Sequence, residues 1–274
     1  IPILLTNASP KFIHLPVYTL TTGFALFTTA TLADIYGSLF SGNPTGAAPP
    51  RPPAWELSTG YRFINDPLID NDHSLILEAR YRHRRLFAEL QTSLTPPLDN
   101  YKAALFGGYE LYRSTSPGDG SFFLVKGGLT CRRYKSEGFS TLTGEVFAHG
   151  RLDLYHYLPT LRGSFMEIGA GAALRGMGYD ALDGGVMTDR EIIPLFRFAF
   201  GAYLGTSGSE LSLFYDHRHD DELGGLAMGS GGDGVIGHFG VEMTWWFSPR
   251  LGVRALVAAG SAHLYQLTLT AREK

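Results

Sequence analysis

The stretch WELSTGYRF, residues 55–63, decides how the chain is read. Trp55, Leu57, Thr59, Tyr61 and Phe63 alternate with Glu56, Ser58, Gly60 and Arg62. A period of two sends successive side chains to opposite faces of an extended strand, so one face collects the large apolar groups and the other the charges. The pattern recurs downstream. Leu75, Leu77, Ala79 and Tyr81 stand against Glu78, Arg80 and Arg82; after a short turn at His83-Arg84-Arg85, Ala88, Leu90, Thr92 and Leu94 stand against Glu89, Gln91 and Ser93. The same reading predicts strands at about 101–113, 121–133, 140–150 (or on to 158), 163–175, 194–204, 209–217, 235–247, 250–259 and 261–271, twelve in all. Many are ten residues or longer, roughly twice the mean globular strand and matched to the roughly 9–11 residues of a tilted membrane strand.

Composition agrees. The 274 residues include 34 Gly, are 13% aromatic and only 18% charged. A chain at once glycine-rich, aromatic-rich and charge-poor is neither disordered, nor a coiled coil, nor an ordinary Lys/Glu-coated domain. The net charge of −3 supplies no basic field, so no nucleic-acid partner is expected. Cys131 is the lone cysteine, which excludes an intrachain disulfide and thiol-rich metal sites.

Upstream, SGNPTGAAPPRPP (residues 41–53) holds five prolines and two glycines, a composition that excludes helix and central strand. It divides the chain into an N-terminal arm with its Pro-rich linker, 1–53, and a strand-rich body, 54–274. Within the arm, residues 15–33 read either as signal-like, with Lys11 ahead and Thr31-Leu32-Ala33 at the end, or as a strand or plug. On either reading the arm is a candidate plug or docking segment for other envelope proteins.

Alternation alone does not say which face meets lipid. Three features turn the apolar face outward. The polar face mixes small residues with charges of both signs, as a crowded lumen would. Aromatics gather near strand ends, at Trp55, Tyr81, Tyr112, Phe122, Phe123, Tyr203 and Trp245-Trp246-Phe247, as interfacial girdles do. Connections also sort by length: short turns at 83–85, 205–208 and 248–249, and longer loops expected at 65–73, 176–193 and 218–234. On these grounds residues 55–271 resemble a bacterial outer-membrane β-barrel. The resemblance implies an all-β, antiparallel up-and-down transmembrane barrel of about twelve strands, located in the bacterial outer membrane with its lipid as a partner.

Two constellations carry possible chemistry. The first is Tyr215-Asp-His-Arg-His-Asp-Asp221, a glycine-rich run, and then His238. His217, His219, Asp220 and His238 are the candidate catalytic or metal-binding set, weighed against an exposed loop closed by ion pairs. The second is the polar face itself. Glu56, Arg62, Glu78, Arg80, Arg82, Glu89, Glu110, Lys126, Arg132, Glu145, Glu167, Arg175, Arg197, Asp216, Glu242 and Arg254 are the candidate pore lining. A G-x-S-x-G elbow and a phosphate-cradling loop are missing from the sequence, and no cofactor is expected. The leading expectation is a small-solute channel, or the membrane-embedded subunit of an envelope complex, rather than an enzyme. The alternative is an outer-membrane lipid hydrolase of lipid A deacylase or phospholipase type using His217, His219 and His238, and a second alternative is a soluble β-barrel ligand carrier.

Overall fold

The structure, a computed structural model, describes residues 53–66, 70–95, 100–116, 119–134, 138–154, 163–180, 186–204, 208–216, 237–260 and 263–273. The arm before Pro53, and with it the signal-like segment, lies outside the described residues, as do His217, His219 and Asp220.

Twelve antiparallel strands close on themselves: β1 (Trp55–Asp66), β2 (Asp70–His83), β3 (Leu86–Thr95), β4 (Asn100–Arg113), β5 (Phe122–Tyr134), β6 (Phe139–Asp153), β7 (Ser164–Asp180), β8 (Val186–Leu204), β9 (Ser209–Asp216), β10 (His238–Trp246), β11 (Leu251–Gly260) and β12 (His263–Arg272). Each strand pairs with its sequence neighbours, and β1 pairs with β12 to complete the ring, from Glu56↔Arg272 to Asn65↔His263. The predicted run at 140–150 is one strand, and it continues to Asp153.

The alternation read from the sequence sets the two faces. On β12, Tyr265, Leu267 and Leu269 are exposed while Gln266, Thr268 and Thr270 are buried. Leu105 and Leu129 show 61% and 60% of their surface to the exterior, whereas Thr268 shows 1%. A soluble barrel buries its leucines and exposes its hydroxyls, so this inversion excludes the soluble carrier and makes the molecule a membrane β-barrel. Trp55, Tyr81, Tyr112, Phe123 and Phe247 stand outward at the end that carries both chain termini of the barrel; Tyr61, Tyr101 and Tyr265 stand outward towards the other.

Three aromatics expected in the girdle point inward instead. Tyr203 and Trp246 are buried, and Phe122 lines the interior cavity. Their strand parity, shared with Arg197, Glu242 and Lys126, dictates this. The expected long loops also change. The β1–β2 hairpin stays paired to Asp66↔Asp70 and the β7–β8 hairpin to Asp180↔Val186. Beyond the apolar band the exterior face no longer needs apolar residues, so the alternation fades while backbone pairing continues. The third expected loop, 218–234, lies outside the described residues.

Candidate functional site

Inside the barrel, on the described residues, a cavity of about 470 Å³ is walled by charged side chains. Of the sequence candidates, Glu56, Arg62, Glu78, Arg80, Arg82, Glu89, Lys126, Glu145, Glu167, Arg197, Asp216, Glu242 and Arg254 border it. Glu110, Arg132 and Arg175 face inward beside it, only 4%, 2% and 2% exposed. The Arg175 Nε lies 3.2 Å from the Glu191 carboxylate.

The inward charges assemble into a ladder because neighbouring strands bring opposite signs into reach. Glu167 on β7 meets His149 at 3.4 Å, Arg151 at 2.5 Å and Arg197 at 3.5 Å. Arg197 on β8 continues to Asp216 at 2.9 Å and Glu242 at 3.5 Å. Glu242 on β10 accepts from Arg254 Nε at 2.6 Å, and Arg254 reaches Glu78 on β2 at 3.4 Å. A second group joins β2, β3 and β4. Arg80 donates to Glu89 at 3.3 Å, and Glu110 accepts from Arg82 at 2.5 Å and from Arg113 at 2.8 and 2.6 Å. Charges withdrawn from bulk water persist only when so paired.

Sequence reasoning missed several participants. Arg151 sits on the parity of Glu145 and His149, past the shorter of the two strand ends read from the sequence, and was not counted among the inward charges. It donates to Glu167 at 2.7 Å and to Glu210 at 2.9 Å, and its guanidinium carbon lies 4.0 Å from the Phe165 ring centroid. Glu210 and Lys102, both bordering the cavity, shared the parity of recognised neighbours and were there to be found. Arg113 was not. The β4–β5 register shifts between Glu110 and Tyr112, leaving Leu111 and Tyr112 both exposed. This bulge re-aims Arg113 into the lumen against its parity.

His238, one of the four hydrolase candidates, is buried, pairs in register with Asp216 and borders the cavity. It therefore faces the lumen, while its expected partners His217, His219 and Asp220 lie outside the described residues. Among the described residues no three His, Cys, Asp or Glu side chains converge as a metal site.

Fold and lumen together define the class: a twelve-stranded transmembrane β-barrel with a charged interior. No family model and no curated protein sequence matches the chain. Among solved structures the chain is similar to KdgM porin, with a TM-score of 0.47 and 9% identity over 79% of this chain and 99% of that one. It is also similar to the Acinetobacter baumannii outer membrane protein Omp33 (TM-score 0.42, 9% identity, 81% of this chain and 98% of that one). A further similarity is to the translocator domain of autotransporter NalP from Neisseria meningitidis (TM-score 0.44, 11% identity, 90% of this chain and 98% of that one).

Proposed function

We propose that this protein is a narrow channel for small polar solutes in the outer membrane of a Gram-negative bacterium. The observation that carries the reading is the length of the charged cavity. On β5 alone it is bordered from Phe122 through Leu124 and Lys126 to Thr130. At roughly 3.3 Å per residue and a tilt of roughly 40°, that stretch rises roughly 20 Å, most of the roughly 25 Å apolar band of such barrels. An interior meant only as a scaffold is filled by its own side chains; here the ion-paired charges still border open volume along most of the span. Both signs line the cavity, so the channel discriminates weakly between simple cations and anions. An even strand number, a ring without edges and an apolar exterior support the outer membrane as its location.

The test is single-channel recording of the full chain in planar bilayers. Discrete current steps in KCl with a small reversal potential under a salt gradient are expected. Folded, membrane-inserted protein that passes no current would overturn the reading.

A further inference from the structure

We propose that Arg151 and Glu210 form a binding site for small zwitterions, molecules that carry one carboxylate and one ammonium group. Binding stands on the geometry below; only its role in transport rests on the channel reading.

Two cavities meet at this pair. Arg151, Tyr203 and Glu210 border both the main cavity and a second one of about 220 Å³ beside it, towards the end with the chain termini. The guanidinium is held from one side: its Nε donates to Glu167 at 2.7 Å, a terminal nitrogen lies 2.5 Å from the same carboxylate, and its carbon lies 4.0 Å from the Phe165 centroid. One terminal nitrogen faces the open side, donating to Glu210 at 2.9 Å and to the Tyr203 hydroxyl at 3.4 Å, while the other, 2.5 Å from Glu167, reaches Glu210 at 3.5 Å. A carboxylate placed where that of Glu210 lies would accept from the same two terminal nitrogens, chiefly from the one not held by Glu167.

The two carboxylates on Arg151 differ in accessibility. The Glu167 side chain is 6% exposed and is shared with His149 and Arg197, while that of Glu210 is 31% exposed. Glu210 is thus the partner a solute can displace. A plain anion that took its place would cost the Glu210 carboxylate its direct ion pair, leaving it only the more distant Arg272 on the wall of the same cavity, and that loss offsets the new pair. A zwitterion escapes this. Its carboxylate occupies the fork of Arg151 while its ammonium takes the released Glu210, so every charge stays paired.

The experiment measures equilibrium binding of 4-aminobutyrate, butyrate and butylamine to the full-length protein in nanodiscs by calorimetry, for wild type, Glu210→Gln and Arg151→Lys. Wild type should prefer 4-aminobutyrate by about tenfold over either singly charged analogue, the worth of one charge-assisted hydrogen bond. Glu210→Gln should bring butyrate level with 4-aminobutyrate or ahead of it. Arg151→Lys keeps the positive charge but not the planar fork, and should weaken both carboxylates while sparing the circular dichroism of the barrel. Equal wild-type binding of 4-aminobutyrate and butyrate, no binding of any probe, or an unchanged preference in Glu210→Gln would each overturn the proposal. Bilayer recording of the same preparations separates the two readings: the binding pattern without current sinks the channel and leaves the site, and current without the pattern does the reverse.

Discussion

On the wall that runs from β7 to β11, inward positions carry Glu167, Arg197, Asp216, Glu242 and Arg254 in a continuous sequence of ion pairs, whereas the middle of the seam where β12 meets β1, between the Glu56↔Arg272 and Arg62↔Gln266 pairs, carries Ser58, Gly60, Thr268 and Thr270. The seam is joined by hydroxyls, with Ser58 Oγ 3.0 Å from Thr270 Oγ1. The contrast shows how a crowded lumen is organised. A guanidinium that lies along the wall needs low ground beneath it, and the small residues provide it. Arg254 reaches from β11 past β12 and β1 to Glu78 on β2. Arg151 reaches from β6 past β7 and β8 to Glu210 on β9 by lying over the Phe165 ring, which itself sits down on Gly201.

The seam should be the more easily broken of the two, because its closure is a backbone-to-backbone contact. A Cβ at Gly60 would stand 2.0 Å from the Leu267 carbonyl oxygen and 2.6 Å from the Thr268 Cα, atoms with no rotamer to yield. Gly60→Val is therefore expected to cost upwards of about 3 kcal/mol and to prevent closure. The check is loss of the compact, heat-modifiable band of the folded barrel on gels. The ladder should answer next. Arg151→Ala removes the cation between Glu167 and Glu210; Glu167 keeps His149 and Arg197, but Glu210 loses its ion pair, a change that costs about 2 kcal/mol. Its barrel should still close, with a lowered guanidinium midpoint in detergent. A folded Gly60→Val of normal midpoint would break the distinction.

Much of this architecture was legible from period two alone. Twelve strands, their inward faces and most charges of the ladder follow from the alternation that begins at Trp55, because lipid enforces an apolar exterior along the whole span. Where that constraint stops, so does the legibility. The paired ends of β7 and β8 beyond the apolar band read as a loop at 176–193. Arg113 was hidden by the bulge after Glu110, a one-residue insertion that leaves no mark on composition. The partnerships were also out of reach: alternation places Arg254 and Glu78 on the same face, but only barrel closure brings β11 near β2. The glycine excess likewise acquired its cause only in three dimensions. Inward aromatics lie over glycines of the adjacent strand, Phe87 over Gly108, Phe106 over Gly128 and Phe214 over Gly240, where a Cβ would meet the ring at 2.3, 2.2 and 2.5 Å.

A gentler change at the seam sharpens the comparison. Ser58→Ala removes one hydrogen bond between hydroxyls while leaving the backbone pairing with Thr270 intact. Thr270 keeps a hydroxyl that can turn elsewhere, so the loss should be about 1 kcal/mol. A small fall in unfolding midpoint, with unchanged conductance, is the expected result. A loss as large as that of Arg151→Ala would mean that the seam is held by its side chains and not by its backbone.

The smallest effect separates the walls by field and not by stability. Glu242→Gln removes one negative charge from the ladder, yet Arg254 retains Glu78 and Arg197 retains Asp216, so the fold should hold. The lumen then gains a net positive charge. For an ion roughly 6 Å away in a wet pore this is worth about 0.7 kcal/mol, or about a threefold shift in permeability ratio towards anions, shrinking as salt is raised. Thr268→Ala, in the uncharged middle of the seam, should leave the reversal potential where it was. Equal shifts from the two variants would show that pore width and not the ladder sets ion preference, and the two walls would then differ only in how they are built.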